Sequence, residues 1–138
     1  MSVTTKLDTR LLDQMLRDIE PQAEALVDKT AFDIQGRAQN NAPVKYGALR
    51  NSIYTVTGHS DGYMLASQGA KAANPNVKTS PLPEPGDMEA HVGPSVEYAI
   101  YQELGTSRMP AHPYLVPAVE AVRKTWEAAW KALLKKYE

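Results

Sequence analysis

The segment between Gly105 and Pro117 restricts the possible folds of this chain more than any other part. Gly105 can adopt a positive φ without a Cβ penalty, so we expect it to end a short helix at Leu104. Pro110 and Pro113 each fix their own φ and hold the preceding residue extended, which predicts a rigid, extended connector. Pro117 suits the first turn of a helix. The connector should therefore fix the position of a C-terminal helix.

Apolar residues repeat at helical spacing at both ends of the chain. Near the N-terminus they predict one helix that ends at Pro21, or restarts there, and a second, alanine-rich helix that runs to about Asn40. A third amphipathic helix is predicted from Pro117 to about Tyr137. We interpret these stripes as faces packed on a core, and the alternative for the first stripe is a docking surface for a neighbouring subunit.

The middle of the chain carries strand and turn signals. β-branched residues predict a strand over Ser52–Gly58, and Asp61-Gly62 predicts a hairpin turn into a returning strand over Tyr63–Ser67. Glu89–Gly93 resembles a further short strand, ended by a proline. The predicted fold class is α+β, with a small antiparallel sheet of three to four strands packed against long N-terminal and C-terminal helices.

Residues 68–88 are predicted to form a long Pro-rich loop, because their prolines and glycine favour extended, solvated geometry. Loops of this length inside a domain are usually functional or disordered. The remainder predicts a single domain over residues 1–138, with residues 1–6 as a flexible N-terminus.

The composition excludes several classes of function. The net charge of −1 argues against a generic nucleic-acid binder, and the absence of cysteine excludes disulfides and thiolate chemistry. No apolar run approaches the roughly 20 residues that span a bilayer, and the N-terminus lacks the layout of a signal peptide. We therefore expect no membrane contact and a soluble chain before assembly.

The residue types that carry catalysis are not arranged as a recognisable site. His59, His91 and His112 lack metal-ligand spacing, and neither Ser52 nor Ser95 lies in a nucleophile elbow. No phosphate-binding glycine loop precedes a Lys-Ser or Lys-Thr pair. The sequence predicts no catalytic residue, no metal and no cofactor.

Two charged residues in distant segments could pair in the fold. Arg50 and Glu103 both lie in mainly apolar surroundings, and we hypothesise that they pair across the fold. The alternative is that both are surface charges, where a pair contributes only about 0–1 kcal/mol.

Two segments, taken together, carry a family resemblance. The first runs from Ala42-Pro43-Val44 to Gly47-Ala48-Leu49-Arg50-Asn51-Ser52-Ile53. The second combines Tyr98-Ala99, Tyr101, Glu103 and Gly105-Thr106 with the run Pro113-Tyr114-Leu115-Val116-Pro117-Ala118. With both segments in this order, the chain resembles the head–tail joining, or tail-completion, proteins of the neck of long-tailed bacteriophages. These are the gene-product-ten-like minor tail proteins. Tyr46 departs from the pattern, since the family commonly has threonine before the glycine.

The resemblance implies a structural virion protein that joins or completes the tail at the head–tail interface, and not an enzyme. Such subunits make head-to-tail contacts that close into a ring, with six copies by family context. The implied partners are further copies of the chain, a tail terminator or tail-tube protein, and head connector or stopper proteins. Contact with DNA in the channel is compatible with this role. The location would be the virion, after assembly in the host cytoplasm.

Two groups of residues follow from this interpretation. The predicted subunit or partner interface comprises Tyr98, Tyr101, Glu103, Gly105, Thr106, Arg108, Tyr114, Pro83 and Pro85. The predicted structural motif comprises Pro43, Gly47, Leu49, Arg50, Ser52, Pro113 and Pro117.

Two other functions stay open from the sequence. The chain could be a small soluble adaptor or regulatory domain that binds a partner through the 68–88 loop. It could also be a hydrolase that uses Glu103 or a histidine, if a deep pocket gathered those groups.

Overall fold

Two long helices pack against a two-stranded sheet and three shorter helices. A computed structural model describes residues 9–43, 47–58, 61–79, 84–86 and 88–136. Along these residues the elements are α1 (Arg10–Asn41), α2 (Ala48–Ser52), β1 (Ile53–Thr57), α3 (Tyr63–Ala73), β2 (Ala90–Pro94), α4 (Ala99–Leu104) and α5 (Leu115–Lys135). The expectation of mixed helix and strand with long terminal helices is confirmed.

Helix α1 is continuous over 32 residues, so the predicted break at Pro21 is wrong. A proline inside a helix lacks the N–H that would donate to the carbonyl oxygen four residues earlier, here that of Arg17. Burial continues on one face beyond the proline, at positions about two helical turns apart: Ala23, Ala31 and Ala38. Packing of this face outweighs the local cost of the proline.

The two strands that the sequence places at residues 52–58 and 89–93 are confirmed as β1 and β2. They pair antiparallel, in a register that runs from Ile53 opposite Pro94 to Thr57 opposite Ala90. Every residue of β1 is buried. At its other edge the N–H of Gly62 donates to the carbonyl oxygen of Thr55 at 3.0 Å. β1 is therefore the centre of the sheet layer, although only one strand pairs with it in the described chain.

The predicted returning strand is wrong, because Tyr63–Ala73 forms helix α3. The carboxylate of Asp61 accepts the N–H of Tyr63 at 3.0 Å, so the Asp-Gly pair starts a helix here and does not turn a hairpin. Burial of Ala66, Ser67 and Ala70 follows helical spacing. The sheet of the described residues thus has two strands, not the predicted three to four.

The predicted loop over residues 68–88 is also shorter than expected, since α3 extends to Ala73. Beyond α3, the carbonyl oxygen of Lys78 accepts the N–H of Glu97 at 3.0 Å, and Thr79 bridges to Val96. Residues 80–83 and 87 lie outside the described residues, as do residues 1–8 with the predicted flexible N-terminus.

Small side chains bring the helices close together at the core. The α1 residue Ala38 and the α5 residue Ala118 are both fully buried, and Asn41 donates from its amide to the carbonyl oxygen of Tyr114 at 3.3 Å. This contact joins the C-terminal end of α1 to the start of α5, so the two helices run antiparallel. The core cluster comprises Ala38, Ala42, Leu49, Ile53, Ala70, Val96, Ala99, Tyr114 and Ala118.

None of the helices in the described part of the chain combines the length and the apolar character needed to cross a membrane.

We predict that Ala38→Leu destabilises the fold by about 1–3 kcal/mol, because a larger side chain has no space in this packed core. The change should appear as a lower midpoint in urea unfolding. On the opposite face of the same helix, a Cβ added at Gly36 would meet nothing within 4 Å. Gly36→Ala should therefore stabilise the fold by about 0.5–1 kcal/mol. An unchanged midpoint for Ala38→Leu would contradict the described packing.

Candidate assembly site

A single carboxylate connects α4 to the start of α5. One oxygen of Glu103, Oε2, accepts the N–H groups of Tyr114 and Leu115 at 2.9 and 3.0 Å, and Oε1 accepts that of Val116 at 2.9 Å. The first N–H groups of a helix lack partners within the helix, and the next residue, Pro117, has no N–H. Glu103 therefore satisfies every unpaired N–H group from Tyr114 to Pro117.

The charge of Glu103 complements the position that it occupies. Partial burial by itself raises the pKa of this carboxyl, but the three backbone N–H groups and nearby His112 outweigh that effect, so its pKa lies below the ordinary value. A carboxylate at a helix N-terminus is also favoured by the helix dipole. Glu103 is thus a negatively charged cap at neutral pH.

Backbone geometry and hydrogen bonds constrain the connector between the two helices. Gly105 ends α4 with φ 78° and ψ 172°, a conformation that is essentially restricted to glycine. A Cβ at this position would lie 2.6 Å from the backbone nitrogen of Ala111. Thr106 and Met109 exchange backbone hydrogen bonds at 2.8 and 3.3 Å, and the N–H of His112 donates to the carbonyl oxygen of Gln102 at 2.8 Å. The chain therefore folds back tightly on α4 before α5 begins.

Tyr114 lies in the core of the single chain, although the sequence places it at an interface. Its side chain is 1% exposed and its hydroxyl donates to the carbonyl oxygen of Ala99 at 3.5 Å. Burial, followed by the nearby charges of Glu103 and Tyr98, raises the pKa of the Tyr114 hydroxyl. The hydroxyl stays protonated at neutral pH and anchors the start of α5 beneath α4.

The hypothesis of an Arg50–Glu103 pair is wrong. Arg50 is exposed, while the carboxylate of Glu103 receives backbone N–H groups and no guanidinium from the described part of the chain. Backbone N–H groups at a helix start carry partial positive charge, and this replaces the expected arginine.

The two segments that carry the resemblance meet in the core through other residues. Gly47 precedes α2 with φ 74°, and the hydroxyl of Ser52 donates to the carbonyl oxygen of Leu49 at 2.6 Å. The carbonyl oxygen of Ser52 accepts the N–H of Ser95 at 3.0 Å. Leu49 lies in the same core cluster as Tyr114. The two segments therefore pack in one core. Of the prolines in the predicted motif, Pro43 is half-buried beside α1, and Pro113 and Pro117 are exposed.

The outer face of α4 carries an apolar surface. Ile100, Tyr101 and Leu104 are between 57% and 69% exposed, and Tyr98 just before them is partly exposed. We call these four residues the α4 surface. Of the predicted interface residues, Tyr98 and Tyr101 lie on it, and Thr106 and Arg108 are exposed in the adjoining turn. Pro85 is half-buried elsewhere, and Pro83 lies outside the described residues.

Sequence reasoning missed Ile100 and Leu104. Ala99 is the buried residue of this six-residue helix, whereas Ile100, Tyr101 and Leu104 are exposed. The shortness of α4, bounded by Gly105, was the available signal. The sequence does not reveal which side of so short a helix meets the core.

Groups of the kind that bind metals do not converge in the described residues. No set of three or more His, Asp or Glu side chains there could hold a metal ion. His91 and Glu89 form one exposed pair at 3.8 Å. What the site offers is a rigid, outward-facing apolar surface.

Comparison with known protein families gives one match. The model of the HK97-gp10-like family, described as "Bacteriophage HK97-gp10, putative tail-component", matches residues 6–105. The matched region includes Glu103 and the whole of α4, and it ends at Gly105. Neither the search of curated proteins nor the search of solved structures returned a match.

We predict that Glu103→Ala destabilises the fold by about 2 kcal/mol, because three N–H groups at the start of α5 lose a charged acceptor. Glu103→Gln should have a smaller effect, since one amide oxygen can still accept. Urea unfolding at pH 7 measures both. Glu97→Gln, at an exposed glutamate just before α4, controls for the loss of charge.

The pH dependence gives a second test of this cap. Because the folded pKa of Glu103 is lowered, its contribution is complete above the ordinary glutamate pKa of about 4.3 and is lost as the pH falls through the folded pKa. The stability difference between wild type and Glu103→Gln should therefore shrink on acidification. A difference that is constant from neutral to acidic pH would contradict the charged cap.

We predict that Gly105→Ala costs about 3 kcal/mol or more, because the backbone conformation is strained for alanine and its Cβ overlaps the connector. Thermal unfolding followed by circular dichroism measures the loss. Gly93→Ala is the matched control, since a Cβ there meets nothing within 4 Å. Equal melting temperatures for the two variants would show that the connector is not rigid.

Proposed function

We propose, from the premise that the chain belongs to the HK97-gp10-like family of phage tail components, that it is a structural protein of the neck. There it joins or completes the tail at the head–tail interface as one subunit of a homo-oligomeric ring. The α4 surface, held on a rigid connector, is the observation that carries this proposal. A contact surface on a rigid element lets repeated copies present it at one fixed angle.

The chemistry of the α4 surface suits a protein partner. Exposed aromatic and aliphatic side chains on a rigid backbone lose little conformational entropy on binding, and tyrosine is enriched at interfaces. Thr106 and Arg108 beside it supply a polar margin. The partners we propose are a tail terminator or tail-tube protein on one side and a head connector or stopper protein on the other.

The ring follows from how such subunits assemble. Identical copies that contact one another through two different surfaces make heterologous contacts, which close into a ring when the rotation allows it. We propose six copies, to match a six-fold tail. Lys71, Lys78 and Arg108 are exposed cations that would reach DNA only if they faced the channel.

A phage that lacks this protein tests the role. We expect separate heads and tails by electron microscopy, and joined particles when the wild-type chain is supplied. Leu104→Asp should lower the yield of joined particles by about tenfold or more, because a desolvated charge costs more than the 1.4 kcal/mol that a tenfold change requires. Met64→Asp is the matched control, since Met64 is equally exposed on α3.

Normal joining without the protein would overturn the neck role. Normal joining with Leu104→Asp would leave the role in place but remove the α4 surface from it. Equal thermal stability of the two aspartate variants shows that any loss arises at the contact and not in the fold.

A further inference from the structure

The first three turns of α1 are the most exposed part of this helix, since Met15 and Ile19 are half-buried and the other residues from Arg10 to Glu20 are exposed. Helix α5 starts beside the C-terminal end of α1 and is 21 residues long, about 32 Å, so it ends near Pro21. In the described structure no residue between Arg10 and Glu20 is buried. We call this part of α1 the overhang. It carries three leucines that are 52% to 76% exposed: Leu11, Leu12 and Leu16.

An apolar groove lies farther along the same helix, between α1, β2 and α5. Its cavity volume is about 280 Å³, slightly below the range of about 300–1,000 Å³ typical of small-molecule pockets. Apolar walls of this kind can take the side chains of an amphipathic helix. Its walls include Val27, Ile34, Val92, Val119, Arg123 and Trp126.

The overhang and the groove cannot meet within one chain. Both lie on α1, and at least 11 residues, about 16 Å along the helix axis, separate Leu16 from the first groove residue, Val27. A continuous helix cannot fold back to close that distance. If these two surfaces bind each other, they must belong to different copies.

We propose that the overhang of each copy docks into the groove of the next copy in the ring. The apolar character of both surfaces supports the match, since Leu12 and Leu16 lie one helical turn apart, Leu11 lies beside Leu12, and the groove is apolar. This is the helix-in-groove mode of recognition, with anchors at helical spacing. The proposal rests on the ring in the proposed function and assigns the surfaces that build it.

The charge of the overhang is also complementary to that of the groove. Of the described residues that line the groove, only Arg123 is charged. The overhang has an excess of acidic side chains, because Asp13, Asp18 and Glu20 outnumber Arg10 and Arg17. An acidic side chain beside the docked leucines can pair with Arg123 at the rim of the groove. The overhang of a second copy therefore matches the groove in apolar character and sign of charge.

This contact is heterologous, because the two docking surfaces are different and lie at different positions along α1. It leaves the α4 surface free, because α4 lies at the opposite end of α1, beside Tyr114. One pair of surfaces would then build the ring, and another would bind the adjoining head or tail protein.

Engineered cysteines test the docking directly, since the chain has no cysteine of its own. The variant Leu16→Cys, Val119→Cys is oxidised in solution and in purified phage particles, and analysed on non-reducing gels. A disulfide needs Cα atoms within about 7 Å, so the two positions cannot bond within one chain. We expect a ladder of linked chains from dimer up to the closed ring.

Single variants and a displaced cysteine are the controls. Leu16→Cys alone and Val119→Cys alone should stay monomeric, and an equimolar mixture of them should yield only dimers, because each such pair has one complete contact. Replacing Leu16→Cys by Met64→Cys, at another exposed helical position, should abolish the ladder. These outcomes together identify a head-to-tail contact between the overhang and the groove.

A charge exchange checks the rim contact. Arg123→Glu should lower the yield of linked dimers, and Asp13→Lys with Asp18→Lys in the copy that supplies the overhang should restore it. Absence of the 16–119 bond both in solution and in particles overturns the proposal, as does equal linking in the single variants. Either result is independent of whether heads and tails join, which tests the neck role separately.

Discussion

The carboxylate of Glu103 fixes the geometry on which the rest of the molecule depends. It binds the N–H groups of three successive residues at the start of α5, and Pro117 removes the need for a fourth acceptor. Gly105 makes the reversal between α4 and α5 possible by adopting a backbone conformation that other residues avoid. Since α5 packs along α1, the angle set at this joint determines how the two long helices cover the sheet.

The sequence correctly predicted those features of the fold that depend on the backbone preferences of single residues. Gly105 as a helix end, the proline-restricted connector and the β-branched strand β1 all follow from preferences of single residues. The prediction of a third strand was wrong because Asp61-Gly62 suits both a hairpin turn and a helix start. The buried face of α3 decides between the two. Pro21 was misjudged for a similar reason, since tertiary packing along α1 outweighs the lost hydrogen bond.

The site shows the same division between local and distant effects. Glu103 was singled out by its position in the motif, but its partners lie 11 to 13 residues away and are backbone groups. A sequence shows charged side chains, whereas the partial charge at a helix start appears only when the helix is in place. Similarly, Tyr114 and Tyr101 look alike in sequence, and only the fold separates a buried anchor from an exposed side chain.

The cap of α5 has a consequence for how this architecture can diversify. The hydrogen bonds that Glu103 accepts from Tyr114, Leu115 and Val116 all come from main-chain N–H groups. The geometry of this joint therefore does not depend on most of the exposed side chains of α5. A helix with a different exterior can be mounted at the same angle, so the exposed face of α5 can change while the core keeps its dimensions.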